Sequence, residues 1–248
     1  MKNILFAGET WISYTIHTKG FDSFYTSHYG EGATQLIKVL SDSGFNVTHL
    51  SNETAAEKFP FTRDELSKYD TVILSDIGSN TLLLSSGTFM RSEFLPDRCE
   101  VLCDYVNDGG SLCMIGGYMS FSGIDAKARY GKTALAKVLP VEMLDIDDRC
   151  ETPSGVTPVV LKSDHPILQD VEGNWPRFLG YNQTIAKPDS TVIATIADDP
   201  FIVVGSYGNG RSAIFSSDCS PHWGSSEFME WKSYPKFWTN LAHWMCGS

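Results

Sequence analysis

DCSPHW, residues 218–223, brings an acid, a thiol, an imidazole and an indole together within six positions. A thiol three residues before an imidazole suggests a nucleophile and its base. If the segment turned helically, Cys219 and His222 would share a face, but Pro221 opposes a regular turn. The same stretch without the thiol suits binding: rings cover the C–H faces of a polyhydroxylated molecule while carboxylates accept its hydroxyl protons. A lone histidine between Pro221 and Trp223 has a structural reading as well, because no partner for general-base work is visible in the sequence.

A second stretch, SLCMIGGYMSFSG at residues 111–123, reads as a buried strand entering a glycine turn. Many α/β enzymes hold a nucleophile at such a turn, but here Gly117 and Tyr118 occupy the place. Ser120 lacks the flanking glycines of a G-x-S-x-G elbow. Cys113 falls inside the strand, where a thiol is expected to be buried and inert.

These residues need a sheet to gather them. KNILFAG at 2–8 is a short apolar run suited to a strand covered on both faces, and FNVTHL, DTVILSDI and the 111–115 run follow as further strands. Ala33, Leu36, Ile37 and Leu40 repeat at helical spacing over 31–43, with Gly44 as the stop. Thr62 and Glu65 form a capping box. Val101, Leu102, Tyr105 and Val106 give the next helix its apolar face, ended by Gly109-Gly110. This alternation predicts an α/β fold with a doubly wound, mainly parallel sheet and helices on both faces. In the C-terminal half VTPVVLK, STVIATIA, PFIVVGSY and RSAIFSSD are strands with little helix between them, and Gly208-Asn209-Gly210 signals a hairpin. Antiparallel strands are therefore expected to extend one side of the sheet. A final helix begins near Pro235 with Phe237, Trp238, Leu241 and Met245 on its core face. No linker or repeat interrupts the chain, so residues 1–248 are expected to form one domain.

In such a sheet, ligands bind beyond the carboxyl ends of the strands. The segments leaving those ends carry Glu9, Trp11, Asp76, Gly117, Tyr118, Asp218, His222 and Trp223, which are the candidate ligand-binding residues. Glu9 and Asp76 could equally cap helix amino termini, and Tyr118 could pack as core with its hydroxyl bonded. Residues 9–30 read as a long aromatic loop holding Trp11, Tyr14, Phe21, Phe24, Tyr25 and Tyr29. A loop of that length is functional or interfacial, and it is the expected surface for a homo-oligomer.

Bulk composition narrows the partners. The 248 residues are 42% hydrophobic and 20% charged, with a formal charge of −11, a balance that repels nucleic acid and acidic membrane surfaces. No run approaches the roughly 18 apolar residues of a membrane helix, and the amino terminus lacks a secretory segment. Six cysteines in a long, unsignalled chain read as reduced thiols in the cytoplasm. Cys99 and Cys103 lie one helical turn apart, but no CxxC or HxxxH pair joins them, so no metal is assigned. No G-x-G-x-x-G or P-loop occurs, so no nucleotide cofactor is assigned either.

ILFAGETW, HTKGFDSFY, YDTVILSDIGSNTLLL, GGSLCMIGGYMSFSGI, LPVEM, DHPIL, LGYN and the closing DCSPHW with EFMEWKSYPKFW together resemble bacterial cytoplasmic proteins of the glutamine amidotransferase-like family, over nearly the whole chain. The resemblance implies a class I amidotransferase-like, flavodoxin-like fold; more distantly the chain is similar to trehalose-utilisation proteins. Working members of class I carry a G-x-C-x-G elbow and a later H-x-E. This sequence has neither: His222 is followed by WGSSE. The expected function is binding or processing of a small polar, sugar-like molecule at the carboxyl edge, with no catalytic residue assigned. The alternatives are a cysteine-dependent amidohydrolase using Cys219 and His222, and an assembly protein without catalysis.

Overall fold

The apolar runs of the first half become parallel strands because both of their faces are covered. In the computed structural model, which describes residues 1–247, the chain begins with β1 (Asn3–Gly8), β2 (Thr10–Lys19), β3 (Asp22–Glu31), α1 (Thr34–Asp42), β4 (Asn46–Leu50), α2 (Asn52–Lys58), α3 (Arg63–Leu66) and β5 (Thr71–Ser75). It continues through α4 (Ser79–Leu83), α5 (Ser86–Arg91), α6 (Arg98–Asn107), β6 (Ser111–Ile115), α7 (Leu135–Val138), β7 (Val141–Met143), β8 (Arg149–Val156) and β9 (Val159–Val160). It ends with β10 (Phe178–Asn182), β11 (Thr184–Ala186), β12 (Thr191–Ile196), β13 (Asp199–Tyr207), β14 (Gly210–Phe215), α8 (Ser226–Met229) and α9 (Tyr234–Cys246).

Eight strands make one sheet in the order β4-β1-β5-β6-β14-β13-β12-β9. The first five are parallel to their neighbours, the 2-1-3-4-5 arrangement of a flavodoxin-like doubly wound sheet. β13, β12 and β9 extend it antiparallel. Successive residues of a strand point to opposite faces, and β1 shows the result. Ile4 and Phe6 join one core with Leu36, Leu40, Phe237 and Trp238, so α1 and α9 cover that face. Leu5 and Ala7 join the other with Leu102, Val106 and Leu135, under α6 and α7.

Local chemistry sets the boundaries. The capping box forms, with the Thr62 hydroxyl accepting from the Glu65 amide and Glu65 reaching back to the Thr62 amide. Asp97 caps α6 by accepting from the Cys99 and Glu100 amides. Pro235 sits in the first turn of α9, and Gly247 ends that helix in the left-handed region. The β13–β14 hairpin closes through Gly208 and Asn209, with Tyr207 opposite Gly210.

Two expectations need correction. Residues 9–30 are not a loop: Thr10–Lys19 and Asp22–Glu31 pair residue by residue as an antiparallel ribbon separate from the main sheet. Alternating Ile, Tyr, Thr and Phe side chains without proline favour that extended pairing. VTPVVLK is not one strand, because Val156 ends β8 and only Val159–Val160 pairs with β12. Antiparallel strands do extend one side of the sheet, as expected, while β8–β10 and β7–β11 form separate two-stranded pairs.

Candidate functional site

The register of the parallel strands levels their carboxyl ends. Gly8 pairs with Ser75, Ser75 with Ile115, and Ile115 with Phe215, so β1, β5, β6 and β14 all release their chains at one height. The residues that follow are Glu9, Asp76, Gly116-Gly117-Tyr118 and Ser216-Ser217-Asp218. Glu9 and Asp76 both adopt left-handed backbone, φ 57° and 43°, a conformation that costs non-glycine residues free energy and persists where surroundings enforce it. The preceding Gly8 has φ +116°, and a Cβ there would meet the Ser75 carbonyl oxygen at 1.8 Å. Only glycine permits β1 and β5 to run that close.

A cavity of about 450 Å³ opens at this edge, lined by Glu9, Trp11, Asp76, Tyr118, Asp218, Ser220, Pro221 and His222. Six of the eight candidate residues thus meet around one space. The other two stand behind it. A Cβ on Gly117, whose φ is +144°, would come within 2.8 Å of Asp76 Oδ1, so this glycine makes room for the acid. Trp223 is buried, and its indole Nε1 donates to Glu151 Oε2 at 3.0 Å while the ring stacks beside His222.

Hydrogen bonds fix the acids. Glu9 Oε1 accepts from the Ser75 hydroxyl at 2.5 Å, and Oε2 from the Ser220 hydroxyl at 3.1 Å. Asp218 Oδ1 accepts from the Ser220 amide and hydroxyl at 3.0 and 2.9 Å, and Oδ2 faces His222 Nδ1 at 3.6 Å. Asp76 Oδ1 accepts from the Met119 amide at 2.7 Å. The Tyr118 ring meets His222 edge-on at 4.5 Å and carries the Arg149 guanidinium over its face at 4.6 Å. Its hydroxyl donates to Glu151 Oε1 at 2.8 Å.

Three carboxyls in one buried neighbourhood cannot all ionise cheaply. Burial, reinforced by the charges of Asp218 and Asp76, pushes Glu9 well above the usual carboxylate range. Burial and the charge of Asp218 push Asp76 up to about 6, against the amide of Met119, which favours its anion. Contact with Asp218 raises His222 above an ordinary imidazole, although burial works the other way. The cleft therefore holds groups that exchange protons near neutrality.

The thiols of Cys219 and Cys113 are buried. Cys219 is buried below the acids, with Sγ 3.6 Å from Glu9 Oε1 and 3.7 Å from Ser75 Oγ. Burial, then the charges of Glu9 and Asp218, hold it well above a free thiol, so the thiolate required of a nucleophile is disfavoured. The Cys219 and His222 dyad is therefore corrected: this imidazole faces Asp218, Tyr118 and Trp223. Cys113 lies within the core, pushed up to about 12 by burial. At the glycine turn, the Gly117 amide donates to Asn182 Oδ1 and the Met119 amide to Asp76, so these two groups are committed within the protein. Ser120 donates to the Ile115 carbonyl and accepts from the Asp76 amide.

Among the described residues, Glu9, Asp218 and Cys219 bring one donor atom each within 4.8 Å of one another, a spacing that could hold a cation. The thiol would first have to ionise against its raised pKa. A larger cavity of about 700 Å³ lies at the opposite edge between Lys2, Arg63, Asp70 and Asp108. Four of its charges are matched as Lys2–Asp70 and Arg63–Asp108 pairs.

Ser220, Pro221, Glu151, Arg149 and Asn182 were not foreseen at the site. Asn182 donates to the carbonyl of Gly117 and to Asp148, so the amide clamps the glycine turn from β10. Ser220 and Pro221 lie within DCSPHW itself, whereas only the long-range packing of β8 and β10 brings in Arg149, Glu151 and Asn182.

The sequence matches the family described as "Putative glutamine amidotransferase" over residues 3–247. No curated protein matches it. A cytoplasmic protein from Salmonella typhimurium has a similar structure with TM-score 0.95 and 46% identity, covering 98% of each chain. A second cytoplasmic protein, from Salmonella typhimurium LT2, gives TM-score 0.95 and 48% identity over 98% of this chain and 99% of its own. These likenesses agree with the cytoplasmic location expected above, and no helix among the described residues is long and apolar enough to cross a membrane. A ThuA-like protein from Parabacteroides merdae has TM-score 0.56 at 10% identity, over 99% of this chain and 89% of that one, a likeness of fold alone. With a match that runs from the first strand to the end of the last helix, the chain belongs to the glutamine amidotransferase-like family so described.

Proposed function

We propose that this protein binds, or turns over without a covalent thiol intermediate, a small polyhydroxylated molecule at the carboxyl edge of its sheet, and that it is not a working glutaminase. One observation carries the reading. The acids Glu9, Asp76 and Asp218 and the imidazole of His222 line one cavity together with the rings of Trp11 and Tyr118, while Cys219 is not among the lining residues. A cavity of about 450 Å³ suits a ligand of one or two sugar rings, within the range of small-molecule sites. The rings would cover C–H faces, and the oxygens of Asp218 would accept hydrogen bonds from hydroxyls. Burial and neighbouring charge raise Glu9 well above the usual carboxylate range, which suits a group that exchanges a proton with a ligand.

Calorimetric titration with mono- and disaccharides, amino sugars and glutamine tests this. A saccharide is expected to bind, with affinity falling at least about tenfold in Asp218→Asn and in Trp11→Ala, which is about 1.4 kcal/mol. A saccharide that binds equally well to both variants would put the site elsewhere. Release of ammonia from glutamine by the wild-type protein would overturn the exclusion of glutaminase chemistry.

A further inference from the structure

The ribbon of β2 and β3 has two unlike faces. Cross-strand partners in an antiparallel pair share a face, so the register sorts the side chains. Trp11 lies opposite Gly30, His17 opposite Phe24, and Thr15 opposite Thr26. On this first face the contacts are internal: the Trp11 indole spans Gly30, His17 stacks on Phe24 at 4.6 Å, and His17 Nε2 lies 3.0 Å from the Thr26 hydroxyl. The second face carries Ile12 opposite Tyr29, Tyr14 opposite Ser27, and Ile16 opposite Tyr25. Here Tyr14 is 74% exposed, Tyr25 71% and Ile16 63%.

A ribbon with one apolar face is patterned for burial of that face. Within this chain β2 and β3 pair only with each other. An isolated two-stranded hairpin is marginal in water, so the pattern calls for a covering surface.

We propose that a second copy of this chain covers it, forming a homodimer in which the Ile12, Tyr14, Ile16, Tyr25 and Tyr29 faces pack together. Charge argues for a self-partner. The whole chain carries −11, yet residues 10–31 hold one lysine, one aspartate and, at the base, Glu31, so the ribbon adds a net charge of only −1 to an otherwise repulsive encounter. Interface cores are similarly poor in charge and rich in tyrosine. Area argues the same way. At roughly 200 Å² per aromatic side chain, the exposure of these five residues amounts to roughly 600 Å² per copy. Two copies would bury about 1,200 Å², enough for a specific interface before Phe21 at the ribbon tip contributes. An apolar face of repeating Ile and Tyr is also self-complementary about a two-fold axis. Because Trp11 lines the cavity from the base of the same ribbon, the dimer would hold one wall of the candidate site in place.

Sedimentation velocity of the full chain from about 1 to 100 μM tests the proposal, using Ile16→Thr combined with Tyr25→Ser and a control of Thr15→Ser with Thr26→Ser on the other face. Wild type and control are expected to sediment as dimers, and the Ile16/Tyr25 variant as a monomer or with association weakened at least about 100-fold. A wild-type monomer throughout that range, or a dimer that survives the Ile16/Tyr25 changes, overturns it. A monomer whose ribbon amides resist hydrogen exchange would assign the face to its own chain and also overturn it. Circular dichroism checks that the variants fold. If the double variant does not fold, the wild-type mass and Tyr14→Ser decide the question.

Discussion

Asp218 Oδ2 faces Nδ1 of His222 at 3.6 Å, while its other oxygen is held by the amide and hydroxyl of Ser220. The acid is buried and the imidazole half-exposed, so the pair joins the interior of the site to solvent. An imidazole held this way keeps its proton to higher pH. In an NMR titration of the histidine ring signals, His222 is expected to titrate above the ordinary value near 6.5. In Asp218→Asn its midpoint should fall, because the first cause of the shift is removed. A midpoint that does not move would separate the two residues functionally.

Asp76 makes stability depend on pH in a defined direction. Its carboxyl rises from 3.8 to about 6 on folding, so the unfolded chain releases that proton first. Stability from this group therefore falls as pH rises from about 4 to about 6, and stays lowered above that. Asp76→Asn keeps an acceptor for the Met119 amide and removes the ionisation. It is expected to raise stability at pH 8 by on the order of 3 kcal/mol, a gain that vanishes below about pH 4. Urea unfolding at the two pH values checks this, and equal differences at both would refute it.

Gly117 is expected to tolerate no side chain. Its backbone lies at φ +144°, and a Cβ would stand 2.8 Å from Asp76 Oδ1. Gly117→Ala should lose roughly 1–3 kcal/mol from backbone strain alone, with displacement of Asp76 in addition. A denaturation midpoint equal to wild type would show that the turn relaxes freely.

Thiol reactivity should follow burial. Cys219 and Cys113 are buried, with thiols raised by loss of solvation, whereas Cys150 is partly exposed. Under native conditions, iodoacetamide followed by peptide mass spectrometry should find Cys150 modified first and Cys219 essentially untouched. Rapid labelling of Cys219 would restore a cysteine mechanism.

Much of this architecture is legible in the sequence. Apolar runs such as KNILFAG read as buried parallel strands because a strand covered twice has no polar face, and Gly208-Asn209-Gly210 read as a hairpin because its turn needs residues free of Cβ strain. The carboxyl edge followed from topology, and with it the meeting of Glu9, Asp76, Tyr118 and Asp218. Residues 9–30 read as a loop in sequence because their aromatic richness masks the alternation that pairs β2 with β3. Trp223 looked like a ligand contact from its neighbours, yet it packs behind the cavity on Glu151.

What the sequence determined by itself was the alternation of parallel strands and helices that builds the main sheet, the absence of a G-x-C-x-G elbow, and the kinds of residue that leave each strand end. These are properties of spacing and residue type, which operate along the chain. Only the tertiary structure decided that the Cys219 thiol turns toward Glu9 and not His222, that Asn182 clamps Gly117, and that three acids share one buried space. Those outcomes depend on which strand ends lie level and which side chains lose water together, and neither is set until the sheet has closed.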